Sequence, residues 1–139
     1  MSNVAIVYWS GTGNTESMAE LIKEGVESAG GQADLIQAAD FDPSRLSGYD
    51  AFAFGCPAMG AEELEDSEFE PMWDSVEPAL PGHKVVLFGS YDWGTGEWME
   101  LWRERAEAAG VEIAETVIAN LEPEGEEAEA CKELGTNLA

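Results

Sequence analysis

Three short runs, Val4–Tyr8, Ala51–Phe54 and Val85–Phe88, are apolar at successive positions instead of alternate ones. A strand that is apolar on both sides must be covered on both sides, so these runs call for a parallel sheet enclosed by helices. Weaker strand patterns cover Gln32–Ile36 and Val111–Ala119. Helical patterns fill the gaps. From Asn14 to Ala29, the residues Met18, Leu21, Ile22, Gly25, Val26 and Ala29 fall on one face, and Gly30-Gly31 ends the helix. Pro43 opens a brief turn at Ser44–Leu46, and Pro71–Val76 reads as a helix stopped by Pro78 and Pro81. Glu97–Ala109 carries Trp98, Leu101, Trp102 and Arg105 at helical spacing, and a polar acidic loop, Glu122–Glu127, leads into a last helix through Leu134.

Strand and helix thus alternate about five times with no repeat and no linker, which describes a three-layer α/β chain. Its 139 residues, 45% of them apolar, suit a single domain, residues 1–139, with one core. In such sheets ligands bind beyond the carboxyl ends of the strands, at a switch point. Three loops each follow a strand: Ser10–Thr15, Cys56–Glu62 and Ser90–Gly94. They belong at one rim.

The first of them holds Ser10, Gly11, Thr12, Gly13, Asn14 and Thr15, with no basic residue. Glycine lets backbone N–H groups approach a ligand closely, and the helix start adds unpaired donors and the positive end of its dipole. With three hydroxyls nearby, the guest that fits is a phosphate. A plain strand-to-helix turn would use the same residue types, so the loop alone does not decide. Its spacing excludes two alternatives. A Walker loop needs a lysine, and none occurs before Lys23; a dinucleotide fingerprint needs a third glycine where Glu16 stands.

The other two loops carry different chemistry. Cys56-Pro57-Ala58-Met59-Gly60 is bracketed by proline and glycine, and after Gly89 the segment Ser90 to Gly96 is a second glycine-punctuated loop with Tyr91 and Trp93. Met59 and Trp93 are large apolar side chains in loops that ought to be polar. Either one alone serves equally as a plug over the core. Beside a phosphate cradle, the pair describes a slot for a flat ring, one wall soft and one aromatic. A phosphate joined to a planar heterocycle describes flavin mononucleotide (FMN).

Twenty-nine acidic residues against six basic ones give a formal charge of −23. That balance argues against a nucleic acid or an anionic membrane surface as partner, since nothing would neutralise their phosphates. It suits a protein with a basic docking face, found by steering that salt suppresses, although solubility or halophilic adaptation produces the same acidity. Six acids in nine residues, from Glu62 to Glu70, read as a solvated loop and helix face. Cys56 and Cys131 match no CxxC or zinc spacing and read as reduced structural thiols; His83, the single histidine, leaves no cluster for a metal. No apolar run approaches the roughly 20 residues of a membrane span and no signal pattern opens the chain, so a cytoplasmic location is expected.

The stretches Tyr8–Glu16 (YWSGTGNTE), Gly55–Gly60 (GCPAMG), Glu63–Ser67 (ELEDS), Leu87–Tyr91 (LFGSY), Trp93–Met99 (WGTGEWM) and Cys131–Gly135 (CKELG) together resemble the short-chain flavodoxins of the clostridial and Megasphaera kind. The likeness runs over nearly the whole chain. It implies a flavodoxin-like fold, a five-stranded parallel sheet in the order 2-1-3-4-5. It also implies non-covalent FMN in a low-potential one-electron carrier that cycles between semiquinone and hydroquinone. Such a carrier shuttles electrons between redox proteins as a monomer and has no substrate of its own.

Position by position, the resemblance has Ser10–Thr15 wrapping the phosphate, with Trp9 beside it and Ser90 reaching it. Met59 and Trp93 would cover opposite faces of the isoalloxazine, in loops completed by Pro57, Ala58, Gly89 and Gly94. Glu62 would accept from flavin N3–H, and backbone N–H groups from Ser90 through Tyr91 and Asp92 to Trp93 would face the pyrimidine end. Gly60 would be the first central residue of a type II′ turn, with Ala61 second; after a peptide flip its carbonyl would accept from flavin N5–H. Two positions depart from the pattern. Asp92 replaces a glycine and is strained if that backbone needs positive φ, and Ala61 replaces the usual aspartate, serine or glycine. The insertion that splits the fifth strand in long-chain flavodoxins has no counterpart.

Other uses of such a sheet find less support. A quinone or nitro reductase would need a nicotinamide site and an acid–base pair with a histidine. A cysteine phosphatase needs arginine six residues after its cysteine, where Glu62 follows Cys56 and Asn137 follows Cys131; a receiver needs an aspartate where Gly55-Cys56 stands.

Overall fold

The computed structural model describes residues 3–11, 13–59, 64–92 and 94–139. Five parallel strands, β1 (Asn3–Tyr8), β2 (Gln32–Gln37), β3 (Ala51–Gly55), β4 (Lys84–Tyr91) and β5 (Ile113–Asn120), lie in the order β2-β1-β3-β4-β5, the order expected. Four helices cover them: α1 (Asn14–Ser28), α2 (Phe69–Val76), α3 (Glu97–Ala108) and α4 (Glu126–Leu138). Short 3-10 turns occupy Ala38–Asp40, Pro43–Gly48 and Glu77–Ala79. Among the described residues no helix is long and apolar enough to cross a membrane.

The strands that read as apolar throughout are buried throughout, because their side chains alternate between two cores. Ala5, Val7, Phe52, Phe54, Val85 and Leu87 face α2 and α3, while Val4, Ile6, Tyr8, Ala53, Val86 and Phe88 face α1 and α4. On the first side Trp73 packs edge-on against Phe54 (ring centroids 5.2 Å apart) and Trp102 (5.4 Å), and its indole N–H donates to Glu77 Oε2 at 2.7 Å. On the second side α1 and α4 touch backbone to backbone through Gly25 and Gly135.

Several boundaries differ from the sequence expectation. Ser90 and Tyr91 are strand rather than loop, because β5 extends far enough to pair them with Ala119 and Asn120. Helix α2 starts at Phe69, inside the acidic run, and α4 starts at Glu126 and continues to Leu138. Leu101 is not part of the buried stripe of α3. It is 49% exposed, and Trp98, Met99, Trp102 and Ala106 are buried instead. Arg105 lies half-buried against Glu70, Asp74 and Glu77, which ties α3 to the α2 region.

Candidate functional site

Parallel register brings the carboxyl ends of β1, β3 and β4 to one rim, with Tyr8 level with Gly55 and Gly55 level with Phe88. The segments that leave those ends are bonded to the neighbouring strand ends. Trp9 N donates to Gly55 O at 3.1 Å, joining the exit of β1 to the end of β3; Ala58 N donates to Ser90 O at 3.0 Å, joining the loop after β3 to the end of β4. The hydroxyls of Thr15, in the first turn of α1, and Ser90, 1% and 3% exposed, share a hydrogen bond of 2.8 Å that joins the end of β4 back to the first helix. The three strand ends are tied together around the rim.

In the first loop Gly13 stands at the N-cap of α1 with φ 97°, a left-handed conformation that glycine adopts without strain. Ser10 Oγ accepts from Gly13 N at 3.0 Å and from Glu16 N at 3.3 Å, so two backbone donors of the turn aim at a single oxygen inside it. Gly11 leaves room for the Trp9 ring, whose Cη2 would lie 3.1 Å from any added Cβ. The Trp9 indole N–H in turn donates to Glu68 Oε1 at 2.9 Å. Convergent amides, hydroxyls and an open helix start, with no competing cation, form a donor set that fits a phosphate monoester. Asn14 opens the helix and Thr12 lies outside the described residues.

Of the ring-binding candidates, Pro57, Ala58 and Met59 are half-buried at the end of β3. Gly60, Ala61, Glu62 and Trp93 lie outside the described residues. Gly89 has a packing reason of its own: a Cβ there would stand 2.2 Å from the carbonyl oxygen of Cys56. Tyr91 is half-buried with its ring 5.7 Å from that of Trp98, and Asp92 and Gly94 are exposed on either side of Trp93. The strain considered for Asp92 is absent, since Leu121 alone has positive φ among the described non-glycine residues. Gly94 takes the left-handed conformation, φ 93°, on the other side of Trp93.

Four residues that the sequence reading gave no role in the site, Asn120, Glu127, Glu68 and Glu65, hold these segments. Asn120 Nδ2 donates to the carbonyls of Tyr91 (3.2 Å) and Asp92 (3.4 Å), and Glu127 Oε2 accepts from Asn120 N at 2.9 Å. Glu68 holds the Trp9 indole. Glu65 corrects the reading of the acidic run as solvated throughout: it is 4% exposed, and its carboxylate accepts from the backbone N–H groups of Ser67, Glu68 and Phe69 at 2.8–2.9 Å. Burial alone would raise its pKa, but the Ser67 hydroxyl and those three N–H groups outweigh it and hold the carboxyl below its usual range. At the end of β1, burial and the Glu16 carboxylate push the Tyr8 hydroxyl above its ordinary range. A chemical signal for Glu65 did exist, a glutamate shortly before a helix start, but the acids crowded around it concealed which one it was.

The family model of flavodoxins matches residues 6–135. The chain is 48% identical to the flavodoxin of Megasphaera elsdenii over 136 residues, 98% of each chain, and 45% identical to that of Clostridium beijerinckii over 135 residues, 96% of this chain and 97% of the other. The solution structure of two-electron reduced Megasphaera elsdenii flavodoxin superposes with a TM-score of 0.89, covering 96% of both chains. With the 2-1-3-4-5 sheet and the phosphate-fitting loop at the rim, these likenesses lead to one conclusion: the chain belongs to the flavodoxin family, FMN-binding electron carriers without a substrate of their own.

Proposed function

We propose that residues 1–139 form one FMN-holding domain that works as a low-potential carrier of single electrons, with Ser10–Thr15 around the phosphate and Met59 and Trp93 on the two sides of the ring. The observation that carries this is the closed set of bonds around the rim, Trp9 to Gly55, Ala58 to Ser90 and Ser90 to Thr15, which ties together the three strand ends from which the loops leave. A ligand that touches all three meets a prearranged surface, so little ordering is left to offset its binding. Bound FMN supplies the one-electron chemistry. The chain would supply position and electrostatics: backbone N–H groups near Ser90–Asp92 would face the pyrimidine end, Glu62 would accept from N3–H, and the Gly60 carbonyl would accept from N5–H when that nitrogen carries a proton.

No basic residue stands in any of the three loops, and Asp66, Glu68 and Asp92 are exposed at or near them. Carboxylates disfavour added negative charge on the ring, and each 1.4 kcal/mol of disfavour lowers a one-electron potential by about 59 mV. The same acidity supports partner proteins with basic docking faces and, through self-repulsion, a monomer; a cytoplasmic setting goes with the reduced, buried thiols.

Titrating the FMN-free protein with FMN and with riboflavin, which lacks the phosphate, tests the cradle. Two charge-assisted hydrogen bonds at roughly 1.5 kcal/mol each make FMN bind about a hundredfold more tightly. Equal affinity for both would remove the phosphate assignment. Trp93→Ala is expected to loosen FMN by roughly 1–3 kcal/mol, the range of aromatic–base stacking, and an unchanged Kd would show the ring lies elsewhere.

A further inference from the structure

A single acidic residue ties the end of β3 to the approach of α2. Glu65 N donates to Cys56 Sγ at 3.3 Å. Cys56 is itself fully buried and fixed from two directions, its N–H on Phe88 O at 3.2 Å and its carbonyl under the Trp98 indole N–H at 3.2 Å. The Cys56 thiol donates to Pro57 O at 3.4 Å, so its proton points toward the next residue and its sulfur is free to accept from Glu65 N. Burial pushes that thiol's pKa up, which keeps the proton in place. In the other direction, Glu65 binds the start of the helix. Its Oε2 accepts from Ser67 N (2.8 Å) and from the Ser67 hydroxyl, Oε1 accepts from Glu68 N (2.8 Å) and Phe69 N (2.9 Å), and Glu70 N donates to the Glu65 carbonyl at 2.9 Å.

A serine or aspartate at the N-cap would satisfy the start of α2 without burying a charge. What Glu65 adds is rigidity in two directions, because its carboxylate locks the turn before the helix while the backbone N–H of the same residue grips the strand end. We propose that Glu65 is a positioning residue: the Cys56–Glu65 clasp holds the end of β3 against the approach of α2 and thereby fixes where Pro57, Ala58 and Met59 meet the flavin. The proposal rests on the reading that Met59 to Glu62 cover the ring. Opening the clasp removes the tie between the end of β3 and the approach of α2, and the ordering it supplied must then come from the cofactor. Two properties of the loaded protein would depend on that tie: the affinity for FMN, through Met59 on the ring, and the gap between the two one-electron potentials, through the carbonyl assigned above to N5–H.

Glu65→Gln keeps the size and removes the charge, and it turns an amide toward N–H donors. Cys56→Ala removes the sulfur acceptor with the carboxylate intact, and Cys56→Ser restores an acceptor. The expected result, measured well below each variant's thermal midpoint, is a tenfold or greater rise in FMN Kd for Glu65→Gln. The gap between potentials should narrow by about 59 mV, a tenfold change in the corresponding equilibrium. Cys56→Ala should move both in the same direction and Cys56→Ser should return them toward wild type. Lower thermal stability with unchanged Kd and unchanged gap would reduce the clasp to a structural brace and overturn the proposal. If Glu65→Gln does not fold, the Cys56 pair decides by the same two readouts. Met59→Ala separates the two levels of inference. If it moves neither readout, the ring assignment fails and the clasp with it; if it moves both while the clasp variants move neither, only the clasp fails.

Discussion

Replacing Gly135 by alanine tests how closely α1 and α4 are packed. A Cβ at that position would lie 2.1 Å from Ile22 O and 2.8 Å from Val26 N, against 3.4 Å or more for ordinary contact. Both atoms are backbone of α1 and cannot swing aside. Helix α4 would therefore have to retreat by more than 1 Å, drawing Cys131, Leu134 and Leu138 away from Met18, Ile22 and Val26, all of them at most 2% exposed. Helix propensity favours alanine over glycine by about 1 kcal/mol. Overpacking of a tight core costs about 1–3 kcal/mol, and the loosened apolar contacts add roughly 1 kcal/mol more. The net expectation is a loss of about 1–3 kcal/mol, or roughly 3–12 °C in Tm for a chain of this size. Urea unfolding of FMN-free protein measures it without ligand linkage. Gly48→Ala is the control: nothing lies within 4 Å of its Cβ and its φ is not positive, so it should be neutral or slightly stabilising. A Gly135→Ala protein as stable as wild type, as propensity alone would have it, would refute the close-contact reasoning.

Thr15→Val leaves the buried Ser90 hydroxyl with one partner fewer and should cost about 1–2 kcal/mol; combined with Ser90→Ala the losses should not add, and full additivity in a double-mutant cycle would show that the pair is not coupled. Glu65 has a folded-state pKa below its ordinary 4.5, so its contribution is present above that value and disappears as pH falls through the lower one; acid unfolding of wild type should be steeper below pH 4.5 than that of Glu65→Gln, and parallel curves would contradict it. Cys131, buried and with its pKa pushed up to about 12, should resist alkylation at pH 8 until the chain unfolds, and its stabilising share should fade as pH climbs from about 9 through that value. Rapid labelling of the native protein would show the thiol to be accessible.

Much of the architecture was legible because it rests on local rules. Runs apolar on both sides had to be interior parallel strands, and glycine and proline punctuation put the loops at their ends. Where long-range pairing intervened, the reading slipped. Ser90 and Tyr91 looked like loop because polar residues come after Gly89, yet β5 supplies partners for both. Leu101 fits the α3 period as well as Met99 does, and only the position of the sheet selects Met99.

The rim shows the same division more sharply. Gly-rich turns after strands, an acidic composition and two misplaced apolar side chains led to the expectation of a phosphate cradle, an aromatic slot and a basic partner, since each depends on residue type and neighbourhood in the chain. Residues that brace the rim from a distance left at most a faint trace, as the glutamate before the start of α2 did. Asn120, Glu68 and Glu65 reach loops 28, 59 and 9 residues away, and no periodicity encodes a side chain's partner over such spans. Among six crowded acids the sequence can state that most must meet water. Which one is buried instead depended on where the backbone N–H groups of Ser67, Glu68 and Phe69 converge, and that is a property of the folded chain alone.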